Sequence, residues 1–112
     1  MTTSSGTAPS PAPALASRAD VATDVPERYA KQLVSHLGRK IAFVEHHGTW
    51  TAHVAGSVAR IALGDGVLVL QAEAPDLDGL SRLEHALGGH LERFGRRSEL
   101  TVRWRRASAP DA

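Results

Sequence analysis

The chain is 112 residues long, the size of one ordinary domain, and 42% of those residues are apolar, enough to line one core but not two. It has no cysteine, which excludes disulfides, thiolate metal sites, iron–sulfur clusters and cysteine nucleophiles and fits a reducing, cytoplasmic setting. A formal net charge of +1 gives no global argument for polyanion binding, and no run approaches the roughly 18 apolar residues that cross a bilayer.

Residues 1–16 are rich in Ala, Pro, Ser and Thr. No basic stretch followed by an apolar one stands there, so the segment reads as a flexible tail rather than a secretion signal. A single domain is expected over 17–106, with a second small polar tail over 107–112.

Residues 17–22 read as a short strand, and a helix follows. Asp24 and Glu27 have the spacing of a capping box, and Pro26 suits a first turn. Because Val25 precedes a proline, the cap is expected at Asp24 or one residue later. Tyr29, Leu33 and Leu37 recur every four residues with Ala30 and Val34 beside them, which makes one apolar stripe, and Gly38 is placed to end the helix.

Two hairpins come next. In the first, His47-Gly48 suits a two-residue turn, and the register it sets pairs Phe43 with Ala52 and Ile41 with Val54, all on the face of Trp50. Glu45 falls on that face too and is expected to reach out to solvent from the hairpin end. In the second, Asp65-Gly66 predicts a type I′ turn that pairs Leu63 with Leu68 and Ile61 with Leu70. Arg60, Gln71 and Glu73 then point the other way.

A second helix is expected to begin near 75–78, with Leu80, Leu83, Leu87, Leu91 and Phe94 on one stripe. Gly88-Gly89 interrupts it, so either the helix breaks there or another backbone passes close. A last strand is expected over 99–105, with Leu100, Val102 and Trp104 facing the core and Arg103 and Arg105 facing out.

The order β-α-β-β-β-β-α-β predicts an α+β two-layer sandwich, a mainly antiparallel sheet with both helices packed on one face. The other face would carry Thr51, His53, Arg60, Gln71, Glu73, Arg103 and Arg18 and stay polar and wet.

Two stretches carry a family resemblance. The run 22–29 (ATDVPERY), with Lys31-Gln32-Leu33 and Ser35-His36 after it, resembles the opening of a family of small bacterial domains catalogued as domain of unknown function 2218. His90-Leu91-Glu92-Arg93-Phe94, then Arg97, Glu99-Leu100-Thr101 and Trp104, is similar to that family's second conserved stretch. The likeness runs from about 17 to 104, and the Gly88-Gly89 pair departs from the helix formers expected in the family. What the resemblance implies is a two-layer α/β domain, similar to TATA-binding-like or phosphohexomutase C-terminal folds. It also implies an association with iron–siderophore uptake genes, and it implies no catalytic residues.

Six histidines invite a search for metal ligands. His46 and His53 share the polar face of the first hairpin but stand four positions apart, about 13 Å at 3.4 Å per residue, too far for one ion. With His47 in the turn, these three read as polar surface, and no metal site is expected. His36 and His90 each sit beside an apolar helical stripe, so neighbouring helices would bring the two imidazoles together near Tyr29. Arg93, Arg96, Arg97, Arg103, Arg105 and Arg106 are faced only by Glu92 and Glu99. Arg is the usual choice for phosphate or carboxylate recognition.

The candidate ligand-binding group is therefore Tyr29, His36, His90, Arg93, Arg97 and Arg103. With no readable catalytic spacing, the expected function is a non-enzymatic accessory or binding module with no specified cofactor. A protein or small-molecule partner would sit on the open sheet face, in an iron–siderophore setting. The alternative is an anion- or nucleic-acid-binding module using the C-terminal arginines, and the scarcity of exposed aromatics counts against it.

Overall fold

The computed structural model describes residues 15–96 and 100–108, with side chains as far as Arg106. Six antiparallel strands form one open sheet in the order β2-β3-β4-β5-β1-β6, and the helices lie on one of its faces. The strands are β1 (Leu15–Ala22), β2 (Val44–His46), β3 (Thr49–Val54), β4 (Ser57–Gly64), β5 (Val67–Ala74) and β6 (Arg105–Ser108). This is the expected α+β two-layer architecture in the expected order.

Helix α1 (Pro26–Leu37) starts without a capping box: its N-cap is Val25, and no side chain accepts a bond from its first turn. Pro26 moves the cap off Asp24, because Val25 must stay out of the helical region before proline, and a valine offers no acceptor. Thr23 Oγ1 takes the Val25 N–H instead, at 3.2 Å. Gly38 ends the helix in a right-handed conformation, its N–H donating to the Val34 carbonyl. Ala30, Leu33 and Leu37 face the core, as their spacing required.

The hairpin registers hold. Ile61 pairs with Leu70, and Leu63 with Leu68. Glu45 pairs with Trp50 in the register that would join Phe43 to Ala52, but the β2 ladder ends at Val44. Ile41 and Phe43 pack on the core from outside the sheet. A third turn, Ala55-Gly56, joins β3 to β4 with both residues at positive φ (49° and 82°), as His47 and Gly48 are (51° and 78°). At Asp65-Gly66 only the glycine is left-handed, φ 69°, so this turn has the type II pattern rather than type I′.

The second helical rod begins at Asp76, whose carboxylate accepts the Gly79 N–H at 2.8 Å. It runs through α2 (Leu77–Glu84), a π-helical turn (His85–Gly89) and α3 (His90–Phe94) without leaving helical geometry. Helix α1 lies over β4 and β5, the rod over β5 and β1, and α1 meets α3.

The C-terminal strand differs from expectation. Residues 101–104 form no ladder, and β6 starts only at Arg105, pairing with β1 from Arg18↔Arg105 to Leu15↔Ser108. The sheet therefore begins inside the expected N-terminal tail and ends inside the expected C-terminal one; positions 1–14, 97–99 and 109–112 lie outside the described residues. Leu100, Val102 and Trp104 still turn to the core, but they cross the second rod rather than extend the sheet.

Alternation divides the faces. Leu70 is fully buried and Val69 only half so. Leu70→Ala should cost about 2–5 kcal/mol in denaturant unfolding and Val69→Ala well under half of that; equal losses would mean that the strand faces are exchanged.

Candidate functional site

The helix side is organised around Gly88. A Cβ there would lie 2.9 Å from Trp104 Nε1 and 3.0 Å from Val102 Cγ1, so the missing side chain is what lets the C-terminal segment lie against the rod. Gly95 plays the same part for Leu100. The crossing segment spends a backbone donor on the helix, since Val102 N–H donates to Glu92 Oε2 at 2.9 Å, which is why residues 101–104 join no strand. The helix does not break at Gly88-Gly89 but widens into a π turn, and what comes close to Gly88 is the side chains of Val102 and Trp104 rather than another backbone.

The segment is then clamped. Arg106 grips Glu84 with two nitrogens, at 2.7 and 2.9 Å, and reaches Ser81 Oγ at 3.2 Å. The Glu84 side chain is 11% exposed and that of Arg106 47%. The guanidinium holds the Glu84 carboxyl below the usual carboxylate range, against a burial cost that acts the other way. Ser17 Oγ is buried beside the pair; it adds to the field on Glu84 without reaching hydrogen-bond geometry.

Helix α1 and helix α3 bring together the pair expected from the sequence. The rings of His36 and His90 lie with centroids 4.4 Å apart and planes tilted by 53°. Phe94 meets His36 edge-on at 5.4 Å and stacks near His90 at 6.4 Å. Both imidazoles are half-buried. Burial holds His90 below the ordinary imidazole range, with the His36 ring next in importance and Arg93 and His85 after it. No carboxylate is among the groups acting on it.

The sheet's other face has no element over it among the described residues. Ala62 stands opposite Val69, with Val67 next along β5, while Val58 is set apart from them by Arg60 and Gln71; Val44 at the margin is 70% exposed. One cross-strand row reads Arg105, Arg18, Gln71, Arg60, Thr51, Val44. Its arginines are matched within the face. Arg18 binds Asp20 at 2.8 Å, Arg105 approaches the same carboxylate at 3.7 Å, and Arg60 pairs with Glu73 at 3.4 Å. The Arg18 hydrogen bond, helped by the charge of Arg105, keeps the Asp20 carboxyl below its usual range.

Of the six candidate ligand-binding residues, then, His36 and His90 meet. Tyr29 is half-buried on α1 against the core, and Arg93 is exposed on α3, close enough to act on His90. Arg103 is exposed in the crossing segment rather than on the open face, because β6 starts at Arg105, six residues after the expected start at position 99. Arg97 lies outside the described residues. Glu45, exposed, accepts the Gly48 N–H at 3.1 Å and so serves its own turn. Phe94 and the Glu84–Arg106 clamp were missed. Phe94 was read as core alone, although its spacing of four from His90 was a usable signal.

The family model described as an uncharacterized protein conserved in bacteria (DUF2218) matches residues 18–105. A solved structure, the NMR structure of PA4090 from Pseudomonas aeruginosa, is similar over 81% of this chain and 95% of that one, with a TM-score of 0.69 at 21% identity, which is a likeness of fold. No curated protein matches the sequence. No helix among the described residues is long and apolar enough to cross a membrane.

Gly88→Ala should cost about 1–3 kcal/mol, since an indole and a β-branched side chain have little freedom to move aside. A protein as stable as the wild type in thermal unfolding would mean that Trp104 does not sit there. A second expectation concerns acid. The Glu84 value is lowered on folding, so the clamp's contribution is complete above the unfolded-state value of about 4.3 and fades as pH falls through the native one. Glu84→Gln should therefore melt below the wild type at pH 7, and the gap should close toward pH 2. A gap independent of pH would show that the carboxylate's charge is not what holds the segment.

Proposed function

We propose that this chain, which belongs to the DUF2218 family, is a non-catalytic binding module that docks a partner protein on the open face of its sheet. One observation carries the reading. Among the described residues the six-stranded sheet has helices on a single side, and the opposite side offers the apolar group Ala62, Val67 and Val69 beside a row of charged and polar side chains. Protein–protein interfaces combine apolar contact area with polar groups in this way. Arg18 and Arg60 are already paired with Asp20 and Glu73 on that face, so a partner can cover those pairs without stranding an unpaired ion. That the partner belongs to iron–siderophore uptake or metabolism is supported by the family resemblance alone and is part of the proposal.

The anion- or nucleic-acid-binding reading has less support. Arg18, Arg60, Arg105 and Arg106 are all engaged by carboxylates, and each would have to exchange a near partner for a phosphate. Arg93, Arg96 and Arg103 are exposed, but they sit on the helix, just after it and in the crossing segment rather than on one flat surface.

Site-specific photocrosslinking in the source bacterium separates the readings. A photoreactive residue at Val69 or Thr51, on the open face, should give one discrete protein adduct, and the same residue at Lys31, on the exposed side of α1, should give none. Adducts of equal yield from both sides, or none from the open face, would count against the docking reading. For nucleic acid the expected affinity at physiological salt is no better than millimolar. Sub-micromolar binding that weakens steeply with salt would promote the polyanion reading instead.

A further inference from the structure

The helix side carries chemistry that the docking face does not use. His36 stands in the last turn of α1 and His90 opens α3, so the contact between their rings is made by two separate elements. No carboxylate is among the groups that act on His90. Phe94, edge-on to His36, restricts the ring without using its nitrogens.

The spacing has a chemical reading. An imidazole nitrogen binds a divalent first-row ion at about 2.0–2.1 Å, which puts the ring centre about 3.1 Å from the metal. Two rings at neighbouring positions about 90° apart on one ion then have centroids about 4.4 Å apart, and two at tetrahedral positions about 5.1 Å. The observed separation is 4.4 Å.

We propose that His36 and His90 together bind a divalent late first-row metal ion, Cu²⁺ or Ni²⁺ ahead of Zn²⁺. The right-angled spacing suits the tetragonal geometry of copper and nickel, and both are borderline ions that favour imidazole. No group of three or more His, Asp or Glu side chains converges among the described residues, so the protein supplies two ligands and leaves the remaining positions to water or to an external chelating group. His85, one π turn before His90, acts on it only at longer range and lines the groove beside Trp104 instead. The proposal is independent of the docking reading, because it uses the other side of the molecule.

An internal comparison sharpens the test. His46 and His47 also have neighbouring rings, with centroids 4.1 Å apart, but they are consecutive and exposed, at the end of β2 and in the turn after it. Calorimetric titration of the full chain with Ni²⁺ should show one site. His36→Gln and His90→Gln should each weaken it at least tenfold, and the His46→Gln, His47→Gln double variant should leave it unchanged. Melting curves without metal check that the variants fold. Electron paramagnetic resonance of the wild type with one equivalent of Cu²⁺ should show two coordinated imidazole nitrogens, a readout that needs no variant. No binding, a copper signal without two nitrogens, or a site lost with His46 and His47 and kept without His36 or His90 would each overturn the assignment.

Discussion

The packing of the Trp104 and Val102 side chains against the bare backbone of Gly88 governs the rest of this structure. The chain must return from the second helical rod to the far edge of the sheet, and its shortest way is across the rod. Any Cβ at position 88 would stand about 3 Å from Trp104 and Val102. With the side chain absent, both can seat against the rod, and β6 arrives beside β1 in register. The π turn at His85–Gly89 is the helix's accommodation of that crossing, and it places His90 at the start of α3, opposite His36. The clamp of Arg106 on Glu84 then fixes the end of the path on the helix side.

This arrangement spends the C-terminal arginines on structure. Arg106 belongs to the helix side, where it neutralises a nearly buried carboxylate, and Arg105 belongs to the open face, where Asp20 already draws Arg18. Alternation along β6 alone sends the two neighbours to opposite sides. A cluster that looks like a polyanion-binding stretch in sequence is thus divided among three surroundings in space. On the open face Arg18 and Arg60 are held by Asp20 and Glu73 beside the apolar group Ala62, Val67 and Val69.

Much of the fold was legible because the period-2 and period-3.6 patterns are local. Ile61 opposite Leu70 follows from the turn between them, and the Leu33 and Leu80 stripes follow from spacing alone. What was not legible depends on contacts distant in sequence. Leu100, Val102 and Trp104 alternate like a strand, yet Glu92 takes the Val102 N–H and glycines at 88 and 95 receive the side chains. The β2 ladder stops short because Ile41 and Phe43 turn into the core, a preference that no pairwise register contains. Of the candidate site, the meeting of His36 with His90 was visible from two helical stripes expected to be neighbours. The separation of Arg103 from the open face was not, because it followed from a strand that begins six residues later than alternation suggests.

The central claim is that, among the described residues, nothing covers one face of the sheet while the other is closed by the helices and the crossing segment. The most direct measurement is solvent paramagnetic relaxation of methyl groups in solution, with a soluble gadolinium chelate as the probe. Methyl signals of Val44, Val67 and Val69 should broaden strongly, and those of Leu33, Leu70 and Leu87 should remain sharp. Valine methyls as well protected as the core leucines would contradict the account, for they would show that the face is already covered in the free protein.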